Sequence, residues 1–256
     1  MFSLTDKNPR VEIQEAEFQR LLGYPKSHTL EGRARELAEE AEAWFSQNGR
    51  PWICARKVAS VELRNGSVRI GGIEFSSKKL REILLESNAH GALLVAVSAG
   101  AECEEHAREL WAEGKPDEYF FLETYGSAVV EQLITVTSGR ICAWADERQM
   151  AALPHFSPGY SGWDIAQQLP LWSLFQKKFD GALPGQLEVL ESGMLRPKKS
   201  LLAVIGLTRD LEKARHFQKL IPCENCSLPD CRYRRGAYRR ATRPAESVAG
   251  SRSSST

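Results

Sequence analysis

The chain reads as an α+β fold in which helices flank a curved, largely antiparallel sheet. Apolar runs of strand length alternate with helical patterns, but without the βαβα rhythm that builds a parallel sheet. No Gly-x-Gly-x-x-Gly follows the first strand, as a doubly wound dinucleotide fold would require. Asn65-Gly66 lies between two alternating segments and marks a tight hairpin, the connection that joins antiparallel neighbours.

The elements follow in order. Residues 12–22 and 30–47 carry helical apolar spacing, the second rich in Ala and Glu, and Gly23-Tyr24-Pro25 separates them. The stretch 52–75 alternates as strands do and turns at Asn65-Gly66. Ser76-Ser77 can cap a helix over 78–87. ALLVAVSAG (92–100) is a short apolar run that suits a buried central strand. Helices are expected over 101–113 and near 117–138, with ICAWADE (141–147) as a short strand or a helix start. A turn at 158–159 leads into an amphipathic helix carrying Gln167, Gln168, Leu171, Leu174 and Phe175. LEVLES and MLRPKKSLLAVIGL supply strands around a proline break, and 208–219 returns to helix. No internal repeat is visible.

With 256 residues, 42% of them hydrophobic and 26% charged, the chain can build a sizeable core. No stretch approaches the roughly 18 uninterrupted apolar residues of a membrane span. The first residues lack the apolar block of a signal peptide, and the six cysteines do not form a secreted disulfide framework. A cytoplasmic protein without a membrane partner is therefore expected. Residues 232–256 hold seven arginines against Glu246, a balance of +6, which leaves −5 for the remainder of a chain of net charge +1. A neutral-to-acidic body with a basic end excludes the folded basic face of a nucleic-acid reader. The end is low in apolar residues and expected to be disordered. Three parts follow: 1–220 as the folded body, 221–235 as a cysteine-bearing segment, and 236–256 as the basic tail.

FSPGYSGWDIAQQLPLWSLF (156–175) is the stretch richest in candidate chemistry. Pro158-Gly159 imposes a turn, since proline sets one φ and glycine accepts conformations that other residues resist. Tyr160 and Trp163 flank a second glycine, Gly162. Such a turn lets bare backbone reach a small polar ligand while a ring covers its flat part. Ser98-Ala99-Gly100, between strand and helix, could offer amides to an anion or be a plain connection.

Three segments in order, FFLETYGSAVVEQL (120–133), SPGYSGWDIAQQ (157–168) and LESGMLRPKKSLLAVIGL (190–207), resemble the S-adenosylmethionine-binding activation domain of vitamin B12-dependent methionine synthase in free-standing form. The resemblance covers roughly residues 15–215. It rests on the Ser-Pro-Gly-Tyr turn, the Ser192-x-Met194-x-x-Pro197-x-x-Ser200 run, and the helix that carries Glu131. It implies a C-shaped structure with a bent antiparallel sheet. It further implies a cofactor site made by Glu131, His155, Ser157 and Tyr160, with Pro158 and Gly159 shaping the loop. His155 stands where the large enzymes have arginine, whose fork suits a carboxylate better than a shorter, mostly neutral imidazole does. Ser161-Gly162-Trp163-Asp164 replaces the family's Cys-Pro-Asp-His, and the family's N-terminal aspartate has no sequence match.

Cys223, Cys226 and Cys231 form a C-x2-C-x4-C cluster. Thiolates at this spacing can converge on one soft ion, zinc with His216 or Asp230 as fourth ligand, or an iron–sulfur cluster with an open iron site. Unliganded thiols or a redox-labile dithiol are the alternatives. The large methionine synthases lack this cluster in their activation domain.

The implied activity is that of a free-standing activation component, a protein that binds S-adenosylmethionine and supports reductive remethylation of cob(II)alamin. The cobalamin would be held by a partner methionine synthase subunit, and flavodoxin or another one-electron donor would supply the electron. No catalytic side chain is expected, since no nucleophile–base or paired-carboxylate constellation is evident. Two other readings are a non-catalytic docking module for a corrinoid protein and a redox metalloprotein using the cysteine cluster.

Overall fold

The computed structural model describes residues 2–25, 28–58, 60–179 and 183–218. Their centre is a five-stranded sheet, antiparallel throughout and strongly curled, in the order β1-β2-β6-β10-β7. Its members are β1 (Ser3–Asp6), β2 (Trp52–Val58), β6 (Ala89–Ser98), β7 (Ala151–Ala152) and β10 (Ser200–Thr208). Residues 91–98 of β6 read as a pure apolar run because both faces of this strand are covered, and all eight are buried. β10 lies beside it for the same reason, with Ser200 opposite Ser98 and Gly206 opposite Ala92.

The sheet divides the interior into two cores. On one face pack α1 (Glu15–Leu22), α2 (Gly32–Asn48), α4 (Ala101–Ala112) and the long α5 (Pro116–Asp146), around Leu93, Val95, Val97 and Ile205. On the other, Leu94, Ala96, Leu202 and Val204 meet α3 (Lys78–Glu86), α6 (Gln168–Lys178) and α7 (Leu211–Gln218). A small antiparallel sheet of β3 (Val61–Leu63), β4 (Val68–Ile70) and β5 (Ile73–Phe75) completes that second side. The last strands, β8 (Glu188–Val189) and β9 (Leu195–Arg196), pair only with each other.

Local rules account for most boundaries. The Arg64 N–H donates to the Ser67 carbonyl around Asn65-Gly66, and Gly66 sits at φ 81°, as a tight hairpin requires. Ser77 caps α3 by accepting from the Leu80 N–H at 3.1 Å. Pro116 opens α5, where a missing N–H costs nothing.

One expectation is corrected, and one open alternative is decided in favour of a plain connection. Residues 141–147 neither form a strand nor start a helix. Through Asp146 they are the last turns of α5, because Ile141 and Ala145 are buried on its core-facing side. Ser98-Ala99-Gly100 offers no free anion cradle. The Ala99 N–H is engaged by the Lys199 carbonyl at 2.9 Å and the Gly100 N–H by Ser98 Oγ at 3.1 Å. Cys223, Cys226 and Cys231, like the basic tail, lie outside the described residues. Among those described, no group of three metal-ligating side chains converges, and no helix is long and apolar enough to cross a membrane.

Candidate functional site

The turn at 157–160 hangs on the outer edge of β10. Phe156 pairs with Val204, each N–H donating to the other's carbonyl at 2.9 Å. Ser157, 1% exposed, then donates its hydroxyl to the Leu202 carbonyl at 2.8 Å. Gln168, at the start of α6, reaches back with Nε2 to the Pro158 carbonyl at 3.4 Å. The turn is closed by backbone bonds: Tyr160 N–H to Ser157 carbonyl, Gly159 N–H to Trp163 carbonyl, and Trp163 N–H to Tyr160 carbonyl. Gly159 at φ 93° and Gly162 at φ 88° occupy the left-handed region, which explains two glycines within six residues.

The aromatic side chains divide into anchor and lid. Trp163 is buried and stacks on Phe156 at 5.7 Å with planes 12° apart. Tyr160 stands edge-on to Phe156 and is 38% exposed. Its hydroxyl lies 3.1 Å from His155 Nε2. His155, Gly159 and Tyr160 therefore present accessible groups, while Ser157 and Pro158 are buried and form the frame.

Glu131 approaches from a different element. It is half-buried on α5 and lines a groove of about 130 Å³ with Gln14 and Glu17 of the α1 region, Gln132 and Thr135. Ser127, one turn before it, accepts from Lys199 Nζ at 2.9 Å, which ties this part of α5 to the start of β10. The predicted residue set is thus divided between two elements: Glu131 lines the groove between α1 and α5, and residues 155–160 form the turn at the edge of β10.

Gln14 and Glu17 were not singled out from the sequence. Their signal was weak: polar residues at the start of a short amphipathic helix are ordinary. Only the packing of α1 on α5 puts a second carboxylate beside Glu131. Glu17 also pairs with Arg20 at 2.6 Å.

The 192–200 run forms the neighbouring wall. Gly193, at φ 82°, lies against the Ile165 carbonyl, where a Cβ would come within 2.5 Å. Ile165 also packs beside Gly159, and the exposed Tyr160, Ile165, Leu169 and Met194 make the surroundings of the turn apolar. Pro197 follows a cis peptide bond. Lys198 and Lys199 both pair with Glu123 of α5, at 3.0 and 3.2 Å, which pins the start of β10 to that helix.

No protein-family model and no curated relative matches the sequence. Among solved structures, the fold is similar to a crystal structure of the MetH reactivation domain bound to AdoHcy, with a TM-score of 0.51 and 13% identity. The match covers 68% of this chain and 65% of that one. The chain therefore has the fold of that reactivation domain.

Proposed function

We propose that this chain binds S-adenosylmethionine at the edge of β10 and acts as a free-standing activation component for a cobalamin-dependent methionine synthase. The observation that carries the proposal is the fold shared with a reactivation domain bound to AdoHcy. The residues available fit such a ligand. Glu131 would supply a carboxylate for an ammonium or sulfonium charge, Gly159 would leave room for close backbone approach, and Tyr160 would offer an accessible ring face. The bound cofactor would supply a methyl group on a sulfonium centre. The chain's own work is to orient that group and to dock, with the apolar surroundings of Tyr160 and Met194 serving as the surface toward the cobalamin subunit. Flavodoxin, or another one-electron donor, completes the proposed system.

Calorimetric titration with S-adenosylmethionine and S-adenosylhomocysteine tests the reading. Saturable one-to-one binding is expected. Tyr160→Ala and Glu131→Ala should each weaken it about tenfold or more while circular dichroism stays unchanged, as loss of a charge-assisted or stacking contact would. Wild-type binding in both variants would sink the site assignment.

His155 favours one rival, a docking module without cofactor, because its Nε2 is engaged with the tyrosine hydroxyl instead of offering an arginine fork. That rival predicts no binding of either ligand, but co-purification with a corrinoid protein. The cysteine-cluster reading predicts visible absorbance after anaerobic purification.

A further inference from the structure

The turn between α4 and α5 carries apolar surface that the fold itself does not use. The buried stripe of α4, Cys103 and Ala107, continues one turn further to Trp111, which stands past the edge of the core and is 62% exposed. Its ring meets Tyr119 of α5, T-shaped at 5.1 Å, and the neighbouring Phe120 is 47% exposed. A firm turn holds the rings in place. Gly114, at φ 74°, donates its N–H to the Trp111 carbonyl at 3.2 Å, the Lys115 N–H donates to the Leu110 carbonyl at 3.0 Å, and Pro116 starts α5 at once. A lone exposed apolar residue means little, but contiguous large rings on a rigid turn mark a binding surface.

The surroundings of these rings are acidic. Residues 32–48 and 101–123, which make α2, α4 and the first turns of α5, hold twelve carboxylates against Arg33, Arg35, Arg108 and Lys115. Their balance is −8, where residues 1–231 as a whole balance at −5. Part of this charge is met within the fold: Arg33 pairs with Glu36, Glu40 and Glu118, Lys115 with Glu113, and both Lys198 and Lys199 with Glu123. Asp117 lies one turn before Phe120 on the same face of α5, and Glu105 is exposed on α4. Neither has an ion-pair partner among the described residues. The region already accommodates cations in two ways: Arg33 bridges carboxylates of α2 and α5, and Lys198 Nζ sits over the Tyr119 ring at 5.6 Å.

We infer that the exposed rings of the α4–α5 turn are the docking surface for the chain's own arginine-rich segment, residues 232–243, which lies outside the described residues. That segment has the complementary chemistry, with six arginines, Tyr233 and Tyr238, and no carboxylate. A guanidinium stacks on a ring face and forks onto a carboxylate, and the turn offers both. The segment is also within reach. Arg232 is fourteen residues beyond Gln218, and extended chain spans about 3.3–3.6 Å per residue, so about 46–50 Å is available. A folded body of this length has a radius of gyration of about 17 Å. Neither the chemistry nor the reach involves the turn at 157–160, so the inference stands apart from the methyl-donor reading.

The test compares two full-length proteins by nuclear magnetic resonance: the parent and a variant carrying Arg234→Gln, Arg235→Gln, Arg239→Gln and Arg240→Gln together. Resonances of residues 109–120, the Trp111 indole N–H included, are expected to differ between them by the same amount at every protein concentration. The difference should vanish at high salt, as surface ion pairing does. A synthetic peptide of residues 232–244, added to the variant, should return those resonances saturably to their parent positions. Trp111→Ser or Phe120→Ser in the variant should weaken peptide binding about threefold or more, with circular dichroism unchanged. Identical resonances in parent and variant, differences located elsewhere on the surface, or ring substitutions that leave peptide binding intact would overturn the inference. Differences that grow with protein concentration would also overturn it, because the occupant would then come from a second copy.

Discussion

Cysteine reactivity is decided residue by residue. Burial pushes the Cys54 thiol up to about 11 and that of Cys103 up to about 12, the latter helped by the Glu123 carboxylate. Cys142 is also raised, again chiefly by burial, but it is only half-buried. The thiolate is the nucleophile, so native protein at pH 8 should react with iodoacetamide at Cys142 well before Cys54 or Cys103. Peptide mass mapping against reaction time checks this order, and early labelling of Cys103 would contradict the packing of α4 on α5. Single side chains also show where sequence reading stops. Tyr160 was legible because glycine and proline announce the turn that exposes it. Ser157 was placed at the site, yet its direction could not be read. Whether a serine faces ligand or strand depends on Leu202, 45 residues away.

At the scale of elements, the connections matter more than the elements they join. Ser77 serves two of them: it caps α3 through the Leu80 N–H and donates to the Gly162 carbonyl at 2.8 Å. Ser77→Ala should cost about 1–2 kcal/mol, the range for a lost cap together with the loss of a part-buried hydrogen bond. Chemical denaturation measures that cost. Because Gly162 belongs to the turn at 157–163, the same variant should also loosen Tyr160, visible as altered aromatic circular dichroism. The elements themselves were largely written in local patterns. Helical spacing, the Asn65-Gly66 hairpin, the Ser77 cap and the apolar run of β6 all appear where local rules put them. The extent of α5 was misjudged, because its last two turns are held by tertiary burial of Ile141 and Ala145 rather than by a propensity signal. β7 and β8 are two residues each, too short for alternation to register.

For the molecule as a whole, the sheet is a partition with a core on each side, and β6 is its spine. Leu93 faces one core and Leu94 the other, both fully buried. Amides of residues 92–97 should therefore be the last to exchange with deuterium, at a rate set by global unfolding, whereas those of the two-residue β8 should exchange early. Comparable protection in both would mean that the two cores do not depend on the central strand. The curled antiparallel architecture was anticipated from irregular strand–helix order, but not the strand order, since pairing of β2 with β6 across 30 intervening residues leaves no local trace.

One consequence remains in how β10 ends the sheet. Among the described residues its outer side meets β7 at Leu207 and Thr208, then Leu153 and Phe156, and no strand neighbours the stretch before Val204. A bare run of this sort is a template onto which a second chain can add itself. The Ser157 hydroxyl blocks that template at Leu202 by occupying its carbonyl, and the turn stands over the gap. The loop offered as a ligand site is thus also a guard against strand-to-strand self-association.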